Sequence, residues 1–162
     1  MPGPKPGNRM MRNDQVAVLL PMVAGSIAAL CTVLIHSIAL GVCVRLFRRE
    51  RKLGLVGSRA WINLGIFVLT ISIAFVAHLI EIALWAGLFV FCGEFKSLQL
   101  AYYHSAVNYT TLGYGDLIMT PSWKLLGPLE AADGALMFGV STAMLFTIAQ
   151  RLMHAKFSDL EG

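Results

Sequence analysis

The stretch that decides the reading of this chain is Thr110-Thr111-Leu112-Gly113-Tyr114-Gly115-Asp116. Two glycines flank a tyrosine, threonines precede them and a carboxylate follows. Gly113 and Gly115 can take a positive φ without a Cβ clash, so the peptide planes beside them can be aimed where an L-residue would resist. That arrangement suits a backbone whose carbonyls all turn toward one axis. A bare G-x-G is usually a turn and nothing more. The longer pattern draws its meaning from what surrounds it.

What surrounds it is mostly lipid-soluble. Of the 162 residues, 57% are hydrophobic and 14% charged, and the mean hydropathy is +0.69. This lies outside the usual composition of soluble domains and places the chain in a membrane. The formal charge of +4 does not point to nucleic acid. A nucleic-acid binder clusters Lys and Arg on a soluble fold, whereas here they gather between apolar runs. Cys31, Cys43 and Cys92 all lie in apolar stretches, and an odd, scattered set is neither a disulfide framework nor a zinc pattern.

Working outward, residues 1–15 hold Pro2, Pro4, Pro6, glycines and charges, a composition expected to remain a disordered tail. Residues 16–44 contain no Asp, Glu, Lys or Arg, and such a run exceeds the roughly 20 residues a helix needs to cross a bilayer. A signal peptide would have an apolar core of only about 7–15 residues. Arg45, Arg48, Arg49, Arg51, Lys52 and Arg59 crowd the next connection. By the positive-inside bias this loop faces the cytoplasm, which places the N-terminus outside. Lys5, Arg9 and Arg12 oppose that orientation, and the denser cluster decides it.

Residues 61–92 form a second apolar run in which His78 and Glu81 are the titratable groups interrupting it. Glu94 and Lys96 mark a return to water. Ser97 is placed to N-cap a short segment, 98–110, too short and too polar to span. Non-helical backbone at membrane depth, as 111–116 would supply, is tolerated only where it is buried in protein or lines a water-filled path. A third run, 123–153, leads to Arg151 and Lys156 and a short cytoplasmic tail, 154–162.

The order outer span, short helix, Thr-x-Gly-Tyr-Gly-Asp and inner span over residues 60–153 resembles the pore module of potassium channels. Trp123 to Glu130, followed by Met137 to Thr142, is similar to small prokaryotic potassium channel family proteins. The resemblance implies an all-α membrane protein with three transmembrane helices and a re-entrant pore helix and selectivity-filter loop between the second and third. It also implies a homotetramer in the cell membrane, because one chain supplies only one filter strand and closed cyclic symmetry is common.

In that reading the carbonyls of Thr111, Leu112, Gly113 and Tyr114, with the Thr111 hydroxyl, replace the hydration shell of K+, the permeating ion. Thr110, Gly115, Asp116, Tyr103 and His104 support the filter. Many members carry a glutamate four residues before the filter threonine to pair with the aspartate behind it. Val107 stands there in this chain, so Asp116 needs another partner, either the Tyr103 hydroxyl or the His104 ring. No cofactor and no enzymatic activity is expected, and the partners are the bilayer, K+ and other copies of the chain.

Four further sites remain open. His78 and Glu81, three apart on one helix face, are either a pH sensor or a polar contact with the first span. A metal site there lacks the second histidine of a zincin helix. Asp133 is a candidate cavity carboxylate, while Glu130 reads as packing behind the filter. Gly139 is the favoured hinge, with Gly134 next. His36 reads as a satisfied buried histidine. A non-selective cation channel, or a non-conducting regulatory protein that keeps the pore fold, is the alternative.

Overall fold

The computed structural model describes residues 6–54 and 60–158, with side chains described over 18–54 and 61–154. Four helices follow in order: α1 (Pro6–Lys52), α2 (Ala60–Phe91), α3 (Leu98–Tyr109) and α4 (Leu126–Ser158). Among the described residues there is no strand. Three segments are long and apolar enough to cross a membrane: Val18–Lys52, Trp61–Phe91 and Leu126–His154. The chain is therefore an all-helical, multi-pass membrane protein. Leu30, Leu34 and Ile38 lie more than 60% exposed on α1, which would be a liability in water and is ordinary against acyl chains.

Three boundaries differ from the sequence reading. Helix α1 already begins at Pro6, so residues 6–15 are helical where a disordered tail is expected; residues 1–5 lie outside the described residues. Proline is well suited to a first helical turn, where its missing N–H has no partner to lose. Helix α1 also runs on to Lys52, through the basic cluster, and α4 continues to Ser158, into the segment read as a tail. Arg59 and residues 159–162 lie outside the described residues.

The chain divides into two compact units, Met1–Thr32 with Ile82–Ala135, and Val33–Glu81 with Leu136–Gly162. In the first unit Trp85, Ala86, Phe89, Ala101, Tyr109 and Leu126 are fully buried. Helix α3 starts where Ser97 leaves extended backbone (φ −125°, ψ 140°) and its hydroxyl accepts the Leu100 N–H at 3.2 Å. Gly93, at φ 78°, closes α2: Gly93 N–H donates to Val90 O and Glu94 N–H to Phe89 O, both at 3.0 Å. An L-residue would be strained in that left-handed position. In the second unit Phe47, Ile148 and Leu152 form a buried cluster flanked by Ile66, Phe67 and Met144.

Candidate ion-conducting site

The loop after α3 carries a regular backbone alternation. Thr111, Gly113 and Gly115 have φ of 59°, 61° and 73°, while Leu112 and Tyr114 between them keep negative φ. In an ordinary strand successive carbonyls point to opposite sides. Alternating left- and right-handed φ instead turns successive peptide dipoles the same way. Positive φ is cheap at the glycines and costs about 1–2 kcal/mol at an L-residue. At β-branched Thr111 it is a genuine outlier, of the kind that clusters at functional sites.

Helix α3 pins the start of this loop. Thr111 N–H donates to Asn108 O at 2.8 Å, and Val107 O accepts from both Leu112 N (2.9 Å) and Gly113 N (3.2 Å). The Thr110 hydroxyl donates to Ala106 O at 2.7 Å. Beyond these bonds the loop stands open: residues 110–116 are all exposed, and a Cβ built on Gly113 or Gly115 would meet nothing within 4 Å.

Behind the loop, Tyr103 Oη donates to Asp116 Oδ2 at 2.8 Å. Of the two donors open to Asp116 in the sequence, it is the tyrosine that bonds. The hydrogen bond to the carboxylate raises the phenol above its ordinary pKa. His104 turns elsewhere. Its Nε2 accepts from the Asn108 side-chain amide at 2.9 Å, and its ring packs on Phe95 and Phe89 at centroid distances of 4.8 and 5.4 Å. Burial pushes its pKa down, against the opposing pull of the Asp116 and Glu94 carboxylates. A cleft of about 360 Å³ beside the loop is lined by His104, Asn108, Thr111, Gly113, Met119 and Pro128, among others.

A second anchor was not legible in the motif. Glu94, before α3, accepts the Thr120 N–H at 2.7 Å and the Thr120 hydroxyl at 2.6 Å. The two ends of the loop region are thus tied through one carboxylate.

The inner-helix candidates separate. Asp133, read from the sequence as a cavity carboxylate, is instead buried at 4% exposure. Its Oδ2 accepts from Thr32 Oγ1 at 2.7 Å and Trp85 Nε1 at 2.9 Å. A carboxylate taken out of water requires such donors, and here α1 and α2 supply them. Glu130 is fully buried and its Oε1 accepts from the Ser105 hydroxyl of α3. Gly134 is a point of close approach: a Cβ there would overlap the Tyr109 carbonyl oxygen and lie 2.9 Å from its carbon. At Gly139 an added Cβ meets nothing within 4 Å.

The second unit holds a closed polar ring. Glu81 Oε1 meets His36 Nδ1 at 2.9 Å, and Glu81 Oε2 meets His78 Nδ1 at 3.2 Å. The Ser141 oxygen lies 3.0 Å from both His36 Nε2 and His78 Nε2. All four residues are buried. The contact with the first span, one of the two readings of His78 and Glu81, is present, and its partner is His36. Ser141 carried no signal in the sequence beyond being a hydroxyl in an apolar run.

Residues 66–151, more than half of the chain, match the family model described as "Ion channel". The chain belongs to this ion channel family. Neither the search of curated proteins nor that of solved structures finds a significant match. The match begins within α2 and ends within α4, so it takes in α3 and the 110–116 loop and leaves α1 outside. In this channel the residues tied together by Tyr103–Asp116, Glu94–Thr120 and Ser105–Glu130 all fall inside the matched segment.

Proposed function

We propose that the channel is a potassium-selective pore built from four copies of the chain. The observation that carries this is the alternation of φ through Thr111-Leu112-Gly113-Tyr114-Gly115. Such an alternation suits a row of carbonyls on a single side, and four such strands about an axis would make stacked oxygen cages that replace a potassium ion's water. Thr111, Leu112, Gly113 and Tyr114 coordinate the ion in this reading. Thr110, Gly115, Asp116 and Tyr103 hold the loop, and His104 packs behind it. Helix α3 acts as a re-entrant pore helix whose C-terminal end aims its partial negative charge toward the cation. The exposed loop supports the assembly, since strained backbone with open space on one side is stable only when neighbours fill that space. The basic cluster at the end of α1 faces the cytoplasm of the cell membrane, with the N-terminus outside and the C-terminus inside.

The test is a reversal-potential measurement on the reconstituted channel in mixed sodium and potassium solutions. A potential following the potassium gradient is expected, with flux abolished by Gly113→Ala, because φ 61° penalises any Cβ. Equal permeability to the two ions would make this a non-selective cation channel. Absence of flux from an intact tetramer would make it a regulatory protein retaining the pore fold.

A further inference from the structure

We propose that His36, His78 and Glu81 form a binding site for a divalent transition-metal ion of the zinc class, with Ser141 orienting both imidazoles. These three side chains are buried and each offers a ligand atom, all lying within 4.8 Å of one another. Both histidines present the same nitrogen, Nδ1, to the same carboxylate, each to its own oxygen. One nitrogen from each imidazole and one oxygen of the carboxylate make the two-histidine, one-glutamate donor set that zinc-class ions accept, with water completing a tetrahedron. With ligand atoms about 2.0–2.1 Å from a tetrahedral ion, neighbouring donors sit roughly 3.3 Å apart. The three ligand atoms lie within 4.8 Å of one another, so side-chain rotation draws the wider pairs together on binding.

The Ser141 contacts suit the same arrangement, since its Oγ lies 3.0 Å from Nε2 of both rings. With an ion on the Nδ1 side, both Nδ1 lone pairs and a Glu81 oxygen would face the metal, and each Nε2–H would donate to one of the two lone pairs of Ser141 Oγ. Ligating histidines characteristically donate their other N–H in this way, which fixes tautomer and ring plane. Glu81 supplies one negative charge against the ion's two positive ones, and the Ser141 oxygen ties the two imidazoles to a third helix.

The site would join three elements: His36 lies on α1, His78 and Glu81 on α2, and Ser141 on α4 two residues past Gly139. Metal binding would thus tether the α4 segment that holds the candidate hinge. The sequence conceals the site because its second histidine is 42 residues before the His-x-x-Glu pair, on a helix outside the family match.

The experiment uses the full, tag-free channel in detergent, stripped with a chelator at neutral pH and titrated with Co2+ and, separately, Zn2+. Wild type should take up one equivalent per chain. Co2+ should give the intense visible absorption of a tetrahedral nitrogen and oxygen site, and Zn2+ should raise the thermal unfolding midpoint. Glu81→Gln, close in shape and able to keep hydrogen bonds to both rings, should assemble on gel filtration yet lose the absorption and the Zn2+ shift. Ser141→Ala should bind about 10–100-fold more weakly. Folded wild type that takes up neither ion, or Glu81→Gln that binds as wild type does, overturns the proposal. The ring would then be a hydrogen-bonded helix contact and nothing more. Ion selectivity through the 110–116 loop does not enter any of these readouts.

Discussion

His104 sits in surroundings that favour its neutral form. Its Nε2 already receives a hydrogen from the Asn108 amide, so a proton added there would face another donor. Its ring is 6% exposed and lies between Phe89 and Phe95. Burial therefore lowers its pKa, with Asp116 and Glu94 opposing. The sign of the consequence follows from linkage. The unfolded chain takes up this proton near the ordinary histidine value of about 6.5, before the folded channel does, so stability is complete above that value and falls as pH drops below it. The unfolding midpoint of the detergent-solubilised channel should fall by a few degrees between about pH 7.5 and about pH 5.5, across that ordinary value. His104→Gln, which keeps a polar group for Asn108, should reduce the slope. An unchanged slope would mean that His104 is not the group being titrated. Tyr103 needs no such account at neutral pH, since its bond to Asp116 raises an already high pKa.

At the scale of the helix, Gly134 and Gly139 of α4 carry opposite expectations. Gly134 lies where the α3 backbone at Tyr109 touches α4, and a Cβ there meets main-chain atoms that cannot swing aside. Gly134→Ala should destabilise the protein by about 3 kcal/mol, the upper end for overpacking, and thermal unfolding will measure it. Gly139→Ala meets no neighbour and replaces a poor helix former, so it should be neutral or stabilise by up to about 1 kcal/mol. If Gly139 bends during opening, the same substitution should still slow gating in reconstituted channels. The two glycines look alike in the sequence because only the Tyr109 carbonyl tells them apart. The helices themselves were legible, since uninterrupted apolar runs and the Ser97 cap are local signals. The loop was legible because its glycines mark the positive φ. Contacts such as Thr32 to Asp133, 101 residues apart, or Ser141 to His36, 105 apart, depend on how helices pack and leave no periodicity to read. Asp133 stays open between a cavity and a packed position in the sequence for that reason: nothing near it announces Thr32 and Trp85 as its donors.

For the whole molecule, the decisive property is that a single chain leaves its proposed filter unfinished. Leu112 is 56% and Tyr114 67% exposed, and the backbone around them is strained at Thr111 and open at Gly113 and Gly115. Four copies would bury these side chains outward and bring the carbonyls together, but would then set rings of like-pointing dipoles against one another across the axis. A cation is needed to offset that repulsion. A ligand that binds only the assembled state stabilises it by RT ln(1 + [L]/Kd), about 2.7 kcal/mol at a concentration of 100 Kd. The proposed tetramer should therefore resist heat dissociation better in potassium chloride than in sodium chloride at equal ionic strength, as read by the temperature at which the four-chain species is lost from a sizing column. Gly113→Ala should remove the difference between the salts, because the added Cβ at φ 61° disturbs the carbonyl row while leaving the packing of α2, α3 and α4 untouched. Equal protection by the two salts would argue for an oxygen cage that does not distinguish the ions, and no protection by either would argue that the loop does not close on a cation at all.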